Sequence, residues 1–204
     1  MKQIYKDFFF HFDIMIIFIL LCLGIGFMFF TGITLIAAVL FLVGMLGFVL
    51  SEYFTHRFLF HLKAPKNPFF LKLLKRLHYD HHTYPNDLKL LFLPLWYSIP
   101  NFLIFSSIVY LITHNFLWTV SFGMGLMTML FIYEWKHYVA HRPIKPKTKF
   151  GQWIKKVHIL HHYKNENYWF GVSNPFTDVI FGTFAKEKEV ETSHTVKDLE
   201  KKAK

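Results

Sequence analysis

Thirteen histidines stand in this chain of 204 residues, and ten of them fall into four groups. His56 and His61 are spaced HxxxxH, and His78, His81 and His82 form HxxHH. His137 and His141 form HxxxH, and His158, His161 and His162 repeat HxxHH. Residues three and four apart share a helix face, so each HxxHH can aim at least two imidazoles at one point, and HxxxH does the same with two. The HxxxxH pair lies about 140° apart on an ideal helix, which suits a site wrapped around a helix end better than a flat face. Neutral imidazole suits iron, zinc and copper, and ten are too many for one ion. Two ions could take up to five each, leaving about one octahedral position open for oxygen or water. Two redox metals side by side can deliver the two electrons that split dioxygen and attack an unactivated C–H bond. Spacing does not say which histidine serves which ion. His11, His114 and His194 have no grouped partners and are left out of the expected site.

Histidine ligands leave a metal's charge uncompensated, so nearby carboxylates should matter. Asp80 lies inside the first HxxHH. Glu134 lies three residues before His137 and seven before His141, so the three share a face if this stretch is helical. A carboxylate there can accept the second ring N–H of a ligand histidine, fixing its tautomer and raising its basicity. It could instead reach the substrate through a water.

The elements that must carry these groups are apolar. Ile14 to Phe30 and Ile33 to Leu50 are uncharged, as are Leu91 to Ile112 and Phe116 to Tyr133. A membrane-crossing helix needs about 20 mostly apolar residues. The expectation is therefore an all-α integral membrane protein, with four transmembrane helices in two tight hairpins and a helical cap carrying a histidine-rich dimetal site. Composition agrees, at 53% hydrophobic, 20% aromatic and 18% charged. All 23 Lys and Arg fall within residues 1–13, 51–90 and 136–204, and neither hairpin connection (Thr31-Gly32, Thr113 to Asn115) has one. That asymmetry places both termini and the cap in the cytoplasm. Because the second and fourth spans both end there, all four histidine groups arrive on one side. The topology came from Lys and Arg alone, so this agreement is independent.

Phe69, Phe70, Leu73, Leu74 and Leu77 recur at helical spacing among Lys72, Lys75 and Arg76, as in a helix lying in the membrane interface. Phe150 to Leu160 repeats the pattern. Residues 1–184 then form one membrane domain, and 185–204 a charged cytoplasmic tail expected to be mobile. A single cysteine, Cys22, excludes a disulfide scaffold. The net charge of +10 serves topology and anionic lipid, not nucleic acid. A metal transporter or sensor would place ligands and carboxylates at membrane depth, whereas only Glu52 and Glu134 stand at span ends.

The order HxxxxH, HxxHH, HxxxH, HxxHH resembles the fatty acid hydroxylase superfamily of integral-membrane di-iron enzymes. Thr55 to His61, His78 to Pro85 with Asp87 and Leu88 to Leu90, and Tyr133 to Tyr138 look like its fatty acid 2-hydroxylase branch. So do Phe170 to Ser173, Asp178 and Phe181 to Thr183, and the likeness covers roughly residues 50–184. Glu134 stands where the resembling motif usually has Asp. Asp80 stands where a small or neutral residue is common.

The resemblance implies oxygen-dependent hydroxylation of a fatty acyl chain at C2, on a sphingolipid or another membrane lipid. Its cofactors would be two iron ions, with zinc able to replace them in purified protein, and dioxygen would be the co-substrate. Some relatives carry a haem domain marked by HPGG, a motif not found in this chain. Electrons are therefore expected from a separate cytochrome or ferredoxin type of protein. Glu134, Tyr133 and Asp87 are the candidate catalytic residues, and Tyr133, Trp135, Tyr138, Trp96 and Tyr97 are candidates for lining the lipid's access. A carotenoid or sterol hydroxylase or desaturase is the alternative within the superfamily. A bacterial inner membrane is the favoured location. The ending Lys201-Lys202-Ala203-Lys204 keeps the endoplasmic reticulum as the alternative.

Overall fold

In the computed structural model of the chain, residues 2–203 are described, and every element among them is helical. The chain divides into two units, Met1–Val49 with Leu93–Glu134, and Leu50–Phe92 with Trp135–Lys204. The motif ending at Lys204 lies partly outside the described residues.

The first unit is built on apolar helices. After a short α1 (Gln3–Phe9) come α2 (Phe12–Thr31) and α3 (Leu35–Phe54), then, later in the chain, α7 (Leu95–Thr113) and α8 (Phe116–His141), the residues of α3 past Val49 and of α8 past Glu134 belonging to the second unit. Counting the turns that extend them, four stretches are long and apolar enough to cross a membrane: Phe12–Thr31, Leu35–Phe60, Leu88–Thr113 and Phe116–His141. Phe18, Leu23, Phe30, Leu42, Leu103 and Ile112 are all exposed, as expected of side chains meant for lipid tails. Inside the unit, packing follows small residues. A Cβ at Gly44 would overlap the Phe122 carbonyl oxygen, and one at Gly125 the Phe41 carbonyl oxygen. The α3 and α8 backbones therefore touch where both lack a side chain, the close approach by which helices associate in lipid. Phe27 meets Phe116 edge-on at 5.6 Å, and Phe48 meets Tyr133 at 5.9 Å.

The third apolar run is not one continuous α-helix. A short turn, α6 (Leu88–Leu91), ends before Phe92, and α7 starts only after Pro94. Proline disfavours helical geometry at the residue before it, so Leu93 cannot continue the helix. The break frees backbone amides, and two acids take them. The Leu93 N–H donates to Glu134 Oε1 at 3.0 Å, and the Leu95 N–H to Asp13 Oδ1 at 3.3 Å.

The second unit holds shorter helices. Past Phe54 the chain runs on as a π-helical turn, Thr55–Phe60. Then α4 (Pro68–Leu74) starts at an Asn67 cap, whose side chain accepts from the Phe69 amide at 2.9 Å, with Pro68 in the first turn. A second π-helical turn, Lys75–Tyr79, leads into α5 (Asp80–Thr83). The apolar face expected here is divided. Leu74 and Leu77 point inward, and Phe69 and Phe70 stay exposed.

Helix α9 (Lys149–Tyr163) is capped by Thr148, whose hydroxyl oxygen accepts from Gly151 N–H at 3.0 Å. Ile154 and Val157 are its buried apolar residues. Lys155 ties α9 to the end of α8, donating to the carbonyls of Val139, Arg142 and Ile144 at 2.8, 2.8 and 2.9 Å. A short α10 (Phe176–Ile180) follows. Beyond residue 184, Leu199 packs with Leu74 and Tyr79, and Val190 with Val157 and Trp169.

Candidate metal centre

His56 and His61 come together through a distortion of the helix. In a π-helical turn the backbone bonds run from i to i+5, so residues five apart stack over one another. Thr55–Phe60 is such a turn, and it brings His61 Nε2 to 3.3 Å from His56 Nε2. The two were expected to wrap around a helix end. The widened turn sets them side by side instead.

The ten grouped histidines form two sets, with ligand atoms in each set within 4.8 Å of one another. The first holds His56, His61, His78, His82 and His161, and the second His81, His137, His141, His158 and His162. Each HxxHH is divided between them. The i and i+4 members of each (His78 and His82; His158 and His162) go to one set, and the i+3 members (His81; His161) go to the other. In the first set, His78 Nε2 lies 2.9 Å from His61 Nε2, and His161 Nε2 lies 3.0 Å from the same atom. In the second, His137 Nε2 lies 2.9 Å from His81 Nε2, and His141 Nε2 lies 2.8 Å from His158 Nε2. All ten are buried.

This geometry fits metal ions. Imidazole nitrogens converging at such distances want a shared cation between them, and a ligand histidine must be neutral. Burial, with the neighbouring imidazoles acting in the same direction, holds His78, His81, His158 and His162 well below the usual histidine range. Burial takes His82 down to about 3, although the Val196 carbonyl beside it acts the other way. These side chains therefore present free lone pairs at neutral pH. For three histidines of the first set, backbone carbonyls fix which nitrogen is presented. His56 Nδ1 lies 2.5 Å from the Phe170 oxygen, His161 Nδ1 2.7 Å from Tyr168, and His82 Nδ1 2.9 Å from Val196. A proton held on Nδ1 by a carbonyl leaves Nε2 as the ligand.

The other expected residues have different surroundings. Glu134 is fully buried with Oε1 engaged by the Leu93 amide, while Oε2 has no hydrogen-bond partner among the described residues. Tyr133 is buried edge-on against Phe48. Asp87 is exposed and caps α6, accepting from the Lys89 amide at 2.9 Å. Of the aromatic candidates, Tyr138 is buried and stacks on both Phe92 and Trp135, whereas Trp96 is exposed.

Sequence reasoning missed the carbonyl partners and the groups that hold them. Asp178 accepts from Phe170 N–H at 2.7 Å, Gly171 N–H at 2.8 Å and the Thr183 hydroxyl at 2.6 Å. Glu52 accepts from Val172 N–H at 2.7 Å and from the amide and hydroxyl of Ser173. Backbone carbonyls leave no mark in a sequence. The available hints were two acids in apolar surroundings and the likeness at Phe170 to Ser173, Asp178 and Thr183, which assigned those residues no role.

Comparison with known proteins gives this centre a context. The chain is 32% identical over 170 residues to the ceramide very long chain fatty acid hydroxylase scs7 of Schizosaccharomyces pombe, covering 79% of this chain and 47% of that protein. It is 33% identical to the fatty acid 2-hydroxylase of Rattus norvegicus, covering 73% of this chain and 40% of the relative. It thus spans less than half the length of either. A solved structure described as full-length scs7p, with only the hydroxylase domain visible, matches with a TM-score of 0.74 at 29% identity, over 85% of this chain and 65% of that one. Residues 41–183, which include all ten clustered histidines, match the family model described as fatty acid hydroxylase, and the chain belongs to that family.

Proposed function

We propose that this protein hydroxylates a fatty acyl chain at C2, on a sphingolipid or another membrane lipid, with dioxygen as co-substrate. The observation that carries the proposal is the pair of buried five-histidine sets within the stretch that matches the family. The names of the relatives point to ceramide and to the 2-position. His56, His61, His78, His82 and His161 would hold one iron, and His81, His137, His141, His158 and His162 the other. Two bound irons would supply the oxidising power that puts one oxygen atom into a C–H bond while the second leaves as water. The two electrons required would come from a cytochrome or ferredoxin type of donor.

The chain's own residues bind, orient and shield. Burial of all ten imidazoles would keep bulk water away from the reacting carbon. The first unit carries an apolar groove of about 460 Å³, lined by residues including Leu20, Phe27, Phe102, Phe116 and Met127, whose chemistry suits part of an acyl tail. Glu134 would act by hydrogen bond, to a ligand ring N–H or through a water to the lipid carbonyl, with Tyr133 beside it in the chain. Asp87, capping α6 on the surface, is proposed to act on the approach of lipid or donor rather than at the reacting carbon.

The spans are proposed as two hairpins, α2–α3 and α7–α8, with both termini and the histidine-bearing cap in the cytoplasm. Support comes from the distribution of Lys and Arg. Residues 1–184 would serve as the membrane domain and 185–204 as an appended charged segment. A bacterial inner membrane is the proposed location. Lipid mass spectrometry of cells with and without the protein tests the activity. Acyl lipids heavier by one oxygen at C2 are expected only where the protein is expressed, and identical lipid profiles would refute it.

A further inference from the structure

The three carbonyl partners of the first histidine set are not scattered. Two of them, Tyr168 and Phe170, stand two residues apart in one loop, and the residue between them is unusual. Trp169 has φ +60, a left-handed backbone that bulky side chains seldom adopt and that costs about 1–3 kcal/mol. Such a conformation persists only where the surroundings hold it. Here the holding groups are visible. Trp169 N–H donates to the Thr183 carbonyl at 3.1 Å, and its indole N–H to the Ala185 carbonyl at 3.0 Å.

On the following residues, two carboxylates take four consecutive amides. Asp178 holds those of Phe170 and Gly171, and Glu52 those of Val172 and Ser173. Both acids are tied further. Thr183 bonds Asp178 and also meets the Tyr53 hydroxyl at 2.7 Å, while the Ser173 hydroxyl donates to Glu52. Glu52 precedes His56 by one helical turn, so the element that bears the ligand also bears one of the clamps. A Cβ at Gly171 would come within 2.9 Å of the Asp178 carboxylate and closer still to Asn174 and Thr177, which leaves only glycine able to pass through the clamp.

We propose that Glu52 and Asp178 are positioning residues for the first metal site: by gripping the amides of residues 170–173 they aim the carbonyls of Tyr168 and Phe170 at His161 and His56. The consequence is selective. Tyr168 and Phe170 turn their carbonyls to the first set, whereas in the second Nδ1 of His81, His158 and His162 meets no acceptor among the described residues. An amide side chain in place of either acid turns an N–H donor toward one of the backbone amides, so Asp178→Asn or Glu52→Gln should loosen the loop without emptying the core. Loss of a ligand's hydrogen-bond partner typically weakens metal binding 10- to 100-fold.

The inference rests on the proposed two-metal centre, and zinc affinity separates the two ideas without any lipid turnover. In a His81→Ala background, where only the first set is complete, Asp178→Asn or Glu52→Gln should weaken zinc binding by roughly 10- to 100-fold. In a His161→Ala background, where only the second set is complete, the same changes should leave zinc affinity within about threefold, less than loss of a ligand's partner would produce. Should both amide variants fail to fold, Thr183→Val, which deletes the bonds to Asp178 and to the Tyr53 hydroxyl, should lower first-site affinity at least roughly fivefold, the effect of one hydrogen bond. Equal weakening in both backgrounds, or none in either, would overturn the clamp. Absence of zinc binding in the parent protein would instead refute the metal centre itself.

Discussion

His81 and His161 are the i+3 members of their HxxHH groups, and each sits in the set opposite to its two neighbours. Replacing either by alanine removes one nitrogen from a five-membered set, so each variant should lose about one metal ion per chain and all hydroxylase activity, measured by elemental analysis beside turnover. His114, the left-handed cap of α7, and the exposed His194 should be dispensable, as should His11, which lies 3.6 Å from Asp13. Glu134 makes a sharper test. Its Oε1 is used by the Leu93 amide, and Glu134→Gln can keep that bond. If Oε2 orients a ligand or the lipid carbonyl, the variant should fold normally and turn over roughly 10-fold more slowly. Unchanged turnover would leave Glu134 as the partner of a broken helix and nothing more. At this scale all ten clustered histidines were legible in the sequence, because ligand spacing is a local pattern. Their division into sets was not, since the side taken by His81 or His161 depends on how separate helices meet.

Elements explain what spacing could not. On an ideal α-helix the HxxxxH pair lies about 140° apart, whereas the π-helical turn that joins it depends on tertiary demands rather than on residue preference. The third span, legible as an apolar run, contains a break whose cause, Pro94, was in plain view. The acids that satisfy the freed amides come from positions 13 and 134, too distant to pair by inspection. Lys155 tests how firmly the helices are joined. Its ammonium caps three carbonyls at and beyond the end of α8, the helix that carries His137 and His141. Burial pulls its pKa below the usual lysine value, but the three acceptors still suit a charged donor. Lys155→Met should lower stability by about 1.5–3 kcal/mol, the worth of a hydrogen bond from a charged group, seen as a lower melting temperature. An unchanged melting temperature would mean that α8 and α9 are held by apolar packing alone.

For the whole molecule, charge and hydropathy carried most of the reading. Four apolar spans were expected, and the described residues hold four helical stretches long and apolar enough to cross a membrane, with bounds shifted by a few residues and the last running on to His141. The proposed orientation rests on the Lys and Arg asymmetry. Reporter fusions after residue 13, at Thr31-Gly32, after residue 80, within Thr113 to Asn115 and at the C-terminus should report in, out, in, out, in. An outward report after residue 80 would refute a cytoplasmic cap. What the sequence left dark at this scale is the segment beyond residue 184. Its charge suggested a tail, yet Val190, Val196 and Leu199 are buried, and the Val196 carbonyl meets His82. Three apolar residues spread over ten positions make no periodic pattern from which that packing could be inferred.

The most direct test of the account combines isotope and ligand. Membranes bearing the wild-type chain, supplied with an electron donor and heavy-oxygen-labelled dioxygen, should yield 2-hydroxyacyl lipids carrying one labelled atom. Membranes bearing the His81→Ala or the His161→Ala chain should yield none. Hydroxylated product without the label, or equal labelled product from wild type and both variants, would contradict the claim that two histidine-held metals direct dioxygen to the acyl chain.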